Sequence, residues 1–210
     1  MKKRTGIILA GGAAERLGYD KGLIELNEKP LVLHVFDRIK DLVDEVIVVV
    51  SSAEQKKRYK EILPPEIIIH VDVKREKCPL IGALTGFAHA NGTYSALLPC
   101  DTPFISKDVI ELLFEASFKV DAVIPRWPNG YIEPLQAIYH TSSALSAAKE
   151  AVMEGRYRMQ SMISLLRSVR YFSTIVLREF DSDLLTFFNV NRLIDLKRAE
   201  RIIKFRDSSV

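Results

Sequence analysis

Apolar residues along this chain cluster in short runs, and between the runs they recur at helical spacing. Ile7 to Ala10 and Val46 to Val50 are uninterrupted apolar stretches of strand length, the pattern of strands buried on both faces. Ile67 to Ile69, ending near Asp72, Ser95 to Asp101 and Asp121 to Ile124 continue the series. Between them Leu31, Val35, Ile39 and Leu42 mark a helix opened by Pro30, and Glu54 to Leu63 reads as a charged helix with a solvated lysine face, stopped by Pro64-Pro65. Pro79 to Ala90 predicts a helix carrying Gly82 and Gly86, four apart, whose first reading is close packing on a neighbour. A further helix starts at about Ser106, with the serine as N-cap. After Glu133 the pattern predicts an extended Gln136–Tyr139, helices over 144–152 and 159–166, a strand over 171–177, a turn at 187–191 and an amphipathic helix over 194–205. Leu23 to Leu26 reads as a short extended piece, and Trp127 to Gly130 as an open loop.

Strand–helix alternation of this kind predicts an α/β fold, three layers with a mostly parallel central sheet. No repeat or linker interrupts it, so residues 1–210 read as a single domain, with a nucleotide-binding half to about residue 130 and a second-substrate half from about 131. The apolar runs are far shorter than a membrane span, and the run after Met1-Lys2-Lys3-Arg4 is too short for a signal peptide. Composition adds little: 48% hydrophobic and 27% charged residues are ordinary for a globular chain. A net charge of +3, with no like-charge block longer than Lys2-Lys3-Arg4, is too weak a bias to argue for nucleic acid, although it suits an anionic small substrate. Cys78 and Cys100 have neither metal nor redox spacing, which predicts a reducing, cytoplasmic setting, with Cys100 a small buried apolar residue. His34, His70, His89 and His140 are dispersed and read as surface or partly buried polar residues.

The chemistry concentrates after the first strand, where Leu9-Ala10-Gly11-Gly12 is followed by Arg16, Gly18 and Asp20-Lys21. Glycines there bring bare backbone N–H groups close to a ligand and permit positive φ. Arg16 and Lys21 supply two cations for phosphate oxygens. The spacing matches neither the Walker loop, since Tyr19-Asp20 follows Gly18, nor the dinucleotide fingerprint. Asp101, at the carboxyl end of a strand, suits Mg²⁺ shared with phosphates and water. Position alone leaves a turn or helix-entry aspartate equally open.

The combination Leu9-Ala-Gly-Gly12, Arg16-Leu-Gly18, Asp20-Lys21 resembles the signature of the molybdenum cofactor nucleotidyltransferases, most closely the guanylyltransferases of MobA type. Pro99-Cys-Asp-Thr-Pro-Phe104 is similar to their metal-binding segment and makes Asp101 the implied metal ligand. The resemblance implies a three-layer nucleotidyltransferase fold, nucleotide contacts at Leu9, Ala10, Gly11, Gly12, Lys21, Ser51, Asp72 and Asp101, and catalytic roles for Arg16, Lys21 and Asp101. Ser51 stands where Asn is usual, and Cys78-Pro-Leu-Ile-Gly82 departs from the family's loop at Cys78 and Ile81. On the molybdopterin side it implies Asn189, Asn191 and Arg158, with Glu133-Pro-Leu-Gln-Ala137 matching a further family segment. By chemistry alone Asn189 and Asn191 read as turn residues and Arg158 as a surface arginine. Arg192-Leu193 replaces the usual Thr-Pro.

The implied reaction is Mg²⁺-dependent transfer of GMP from GTP to the terminal phosphate of molybdopterin. Gly11, where cytidylyltransferases of this cofactor carry alanine, favours GTP over CTP. Phospholactate or sugar-1-phosphate nucleotidyl transfer, and a non-catalytic GTP-binding maturation factor, are the rival readings. Expected partners are GTP, molybdopterin and cofactor-biosynthesis or molybdoenzyme maturation proteins, without nucleic acid or membrane, the chain being a monomer or weak homo-oligomer.

Overall fold

A computed structural model describes residues 3–11, 13–14, 19–72 and 78–207. Gly12 and Arg16, both expected at the site, lie outside the described residues, as does the Lys74–Lys77 segment expected to be a loop.

The core of the fold is a seven-stranded sheet built from β1 (Arg4–Leu9), β2 (Glu45–Val50), β3 (Ile68–Val71), β4 (Tyr94–Pro99), β5 (Ala122–Arg126), β6 (Ala137–His140) and β7 (Val169–Ser173). Its spatial order is β3-β2-β1-β4-β6-β5-β7. β1 pairs in parallel with both β2 and β4, β2 with β3, and β5 with β7. β6 alone among these strands runs antiparallel, against β4 and β5. β5 ends at the carboxyl edge and the reversed β6 runs from there back towards the amino edge, so the 127–136 connection lies on the same edge as the tips of β1 and β4.

Alternation along β1 decides the layering. Ile7 packs with α3 (Pro79–His89), α5 (Thr141–Met153) and α6 (Met159–Ile163) on one face. Ile8 packs with α1 (Leu31–Ile39), α2 (Ala53–Ile62) and α4 (Lys107–Ala116) on the other. Helices on both faces make the three-layer α/β/α architecture expected from the apolar runs. Gly86 is the packing glycine anticipated above: a Cβ there would stand 2.4 Å from Ile7 Cγ2. Ser106 caps α4, accepting a bond from the Val109 N–H at 3.4 Å. A third, smaller cluster joins Leu26, Leu31, Phe104, Leu185 and Val190 to Ala199 of α8 (Leu193–Asp207), closing the carboxyl-terminal helix over the early part of the chain.

Three elements depart from expectation. The strand placed at 171–177 ends at Ser173, whose hydroxyl accepts from the Ile175 N–H and starts the short helix α7 (Thr174–Leu177). The helix predicted over 159–166 stops at Ile163, and a 3-10 turn over Lys21–Leu23 precedes the extended Glu25–Leu26 pair. Serine-mediated capping competes with strand extension locally, which apolar periodicity does not register. Among the described residues no helix is long and apolar enough to cross a membrane.

Candidate active site

The tips of β1, β2, β3 and β4 share one edge of the sheet, and the residues singled out in the sequence gather there. At β1, the Ala10 N–H donates to the Val49 carbonyl at 2.8 Å and Leu9 O accepts from the Cys100 N–H at 3.1 Å, so the strand holds its register up to the turn. Gly11 follows directly. It does not lie at positive φ, so its value is space rather than conformation. A Cβ at Gly11 would meet Asp72 Oδ2, Ser51 Cβ and Ser51 N, each at 3.4 Å. The tips of β1, β2 and β3 therefore converge on one small area, with Asp72 fixed by its N–H on the Val50 carbonyl at 2.8 Å.

Asp72 is a half-buried carboxylate whose Oδ1 is buried without a hydrogen-bond partner among the described residues. Burial pushes its carboxyl up to about 6. An unsatisfied buried acceptor at a strand tip is an opening for a ligand donor such as a hydroxyl or a ring N–H.

Asp101 follows β4 and is 8% exposed. Burial pushes its carboxyl above the ordinary range, while the Lys21 ammonium draws it back. Lys21 Nζ stands 3.3 Å from Asp101 Oδ2 and donates to Asn191 Oδ1 at 2.6 Å. These three residues, 80 and 170 positions apart by their bonds to Lys21, meet at one point. The carboxyl-terminal segment is secured there by the Val190 N–H on the Asp101 carbonyl at 2.8 Å. The Asp195 carboxylate takes the N–H groups of Asn191 and Arg192 at 3.1 and 2.8 Å, so an aspartate in the first turn of α8 closes the turn without Thr-Pro.

The other expected residues are placed differently. Asn189 is exposed and its amide turns back to the Phe187 carbonyl at 3.2 Å, a turn-forming bond. Arg158 is exposed at the start of α6, and no described hydrogen bond or ion pair joins it to the cluster. The Ser51 hydroxyl donates to Gln55 Oε1 at 3.1 Å, and its N–H to the same atom at 2.7 Å.

Two residues that sequence reasoning passed over sit beneath the site. Gln55 and Tyr59 lie on α2, the helix whose lysines read as a solvated face, and are 6% and 0% exposed. Gln55 Nε2 donates to the Ala10 carbonyl at 2.8 Å and to Asp20 Oδ2. The Tyr59 hydroxyl donates to Asp20 Oδ1 at 2.7 Å, and the Gly22 N–H reaches the same oxygen at 3.2 Å. The signal was available: Gln55 and Tyr59, four apart, are the uncharged exceptions within Glu54-Gln-Lys-Lys-Arg-Tyr-Lys-Glu61.

The family described as the MobA-like NTP transferase domain matches residues 6–170. This chain belongs to that family. It is accordingly a nucleotidyltransferase. Among its relatives, the probable molybdenum cofactor guanylyltransferase of Methanosarcina mazei is 31% identical, with 92% of this chain and 88% of the relative covered. That of Pyrococcus horikoshii is 33% identical, covering 92% and 97%. The molybdenum cofactor guanylyltransferase of Desulfosudis oleivorans is 30% identical, covering 95% and 96%. The crystal structure of molybdopterin-guanine dinucleotide biosynthesis protein A from Archaeoglobus fulgidus superposes with a TM-score of 0.81 at 28% identity, covering 95% of this chain and 98% of that one. A cytidylyltransferase of Thermus thermophilus that acts on 2-C-methyl-D-erythritol 4-phosphate shares the fold, with a TM-score of 0.70 at 15% identity over 96% of this chain and 99% of that one. Within this MobA-like chain, Lys21, Asp101 and Asn191 thus form one contact, and Gly11, Ser51 and Asp72 a second beside it on the same sheet edge.

Proposed function

We propose that the chain transfers GMP from GTP to the terminal phosphate of molybdopterin, releasing pyrophosphate. The observation that carries this reading is the Lys21 ammonium held at 3.3 Å from Asp101 and 2.6 Å from Asn191. One cation borne by the glycine loop is reached from the sheet by a carboxylate and from the carboxyl-terminal segment by an amide. That arrangement suits a nucleotide entering from the β1–β3 side and an acceptor approaching from the β5–β6 side.

In this reading the backbone around Gly11 and the Lys21 cation hold the triphosphate, with Gly12 and Arg16 contributing from outside the described residues. Asp72 accepts a hydrogen bond from the nucleoside through its unpartnered oxygen. Asn191 orients the acceptor, and Arg158 belongs to the acceptor half only after a change in its side chain. An oxygen of the acceptor phosphate forms a bond to the α-phosphorus as the bond to the pyrophosphate oxygen breaks. Lys21 neutralises charge growing on the leaving group, and positioning by these groups supplies most of the acceleration.

The donor set fits Mg²⁺. Among the described residues no group of three or more His, Cys, Asp or Glu could hold a metal, and Lys21 engages Asp101 through Oδ2 alone. A single hard carboxylate suits a cation that draws its remaining ligands from phosphate and water. Bound there, Mg²⁺ supplies charge neutralisation on phosphate oxygens.

GTP is favoured over CTP by glycine at position 11, where the cytidylyltransferases of this cofactor carry alanine; a methyl group there would stand 3.4 Å from Asp72 and Ser51 and crowd the tips of β1–β3. The relatives' names support the same base and acceptor. The test is pyrophosphate release with molybdopterin and Mg²⁺ against all four nucleoside triphosphates. GTP is expected to be turned over at least tenfold faster than the others; equal or faster turnover of CTP overturns the base assignment. No release with molybdopterin, but release with a sugar phosphate or phospholactate, overturns the acceptor. GTP binding without release favours the maturation factor.

A further inference from the structure

The Gln55 carboxamide has four hydrogen-bonding valences, and all four are used. Its Nε2 donates to the Ala10 carbonyl and to Asp20, and its Oε1 accepts from the N–H and hydroxyl of Ser51. One turn along α2, the buried Tyr59 hydroxyl takes the other Asp20 oxygen. Asp20 therefore has three donors, counting the Gly22 N–H, where an aspartate at a turn entry ordinarily needs one. Burying an amide and a phenol is costly unless both are satisfied, and here one carboxylate satisfies both. Lys21 is the next residue in the chain. Gly22 follows, and a Cβ there would stand 2.1 Å from the Tyr59 hydroxyl and 3.2 Å from its Cζ. The tyrosine thus occupies the volume that a side chain at position 22 would need.

We propose that Gln55 and Tyr59 are positioning residues that act on the reaction through Lys21, by clamping Asp20 and so fixing where the Lys21 ammonium stands against Asp101. The same carboxamide ties this clamp to the ends of β1 and β2, at Ala10 and Ser51. The inference rests on the reading of Lys21 as a triphosphate ligand but on neither the base nor the acceptor.

The test is a double-mutant cycle between Tyr59→Phe and Lys21→Met, read by calorimetric titration with magnesium tripolyphosphate, a probe with neither base nor acceptor. Tyr59→Phe is expected to weaken binding about fivefold in the wild-type background and by less than twofold beside Lys21→Met. A purely structural tyrosine would lower the melting temperature without that dependence on Lys21. The same factor in both backgrounds, or no loss in either, overturns the proposal. If Tyr59→Phe does not fold, Asp20→Asn opens the clamp from its other side and enters the same cycle. Coupling that persists while the four-nucleotide assay fails leaves the clamp standing and removes only the base or acceptor assignment. No binding of the probe to the wild type overturns both.

Discussion

The two walls of the cleft are built differently. On the β1–β3 side every strand is parallel, Ala10, Ser51 and Asp72 are held by backbone bonds or by Gln55, and the buried Tyr59 backs Asp20. On the other side stands the antiparallel β6 with the carboxyl-terminal segment, attached at the site through the Asn191–Lys21 bond and the Val190–Asp101 backbone bond. The first wall is fixed by the protein's own bonds. The second is anchored away from the site by the apolar cluster around Leu26, Leu31 and Phe104, while at the site only the exposed Asn191 side chain faces the ligand, so adjustment on binding is expected at that side chain.

The contrast breaks most visibly at Gly22. Gly22→Ala puts a methyl group against a tyrosine ring with no exposed surface, and overpacking of this sort is expected to cost about 3 kcal/mol of stability by urea denaturation. A loss below about 1 kcal/mol would mean that the first wall yields easily.

A smaller effect is expected at Asp72. Its carboxyl stays protonated in the folded chain up to about 6, whereas in the unfolded chain it ionises near about 3.9. The folded state holds the extra proton between those values, so this group's contribution to stability falls as pH rises from about 4 through about 6 and is then level. Asp72→Asn, neutral throughout, is expected to gain about 1–2 kcal/mol relative to wild type at pH 7.5 and almost nothing at pH 4. Equal effects at the two pH values would contradict the assignment.

The smallest effect belongs to the second wall. Asn191 is exposed, so Asn191→Ala is expected to leave unfolding free energy within about 0.5 kcal/mol. It should lower kcat about tenfold, the low end of the value of a hydrogen bond to a charged group. A loss of stability without a change in kcat would make Asn191 a structural residue only.

Much of this fold was legible in the sequence because buried parallel strands are written as continuous apolar runs: Ile7–Ala10 and Val46–Val50 need no long-range information to be recognised. The reversed β6 was not legible, since Gln136–Tyr139 carries the same apolar character in either direction. That Lys21 and Asp101 meet follows from strand order, with Asp101 on the neighbour of β1. Asn191 reaches Lys21 across the molecule; the resemblance implied only a molybdopterin-side role for it, and neither motif nor periodicity foretold this bond. Gln55 and Tyr59 were not singled out because the inward stripe of this lysine-rich helix is narrow and carries a polar amide and a phenol in place of apolar residues. Among the described residues Arg158 and Asn189 make no bond to Lys21 or Asp101, and their place on the acceptor side stays part of the proposal.

The central claim is that Asp101 and Lys21 serve one triphosphate. Its most direct test is pyrophosphate release by Asp101→Asn beside the wild type, with GTP, Mg²⁺ and molybdopterin, after cooperative melting has been verified for both. The account predicts a loss of about a thousandfold in turnover in a folded protein; turnover within tenfold of wild type would contradict it.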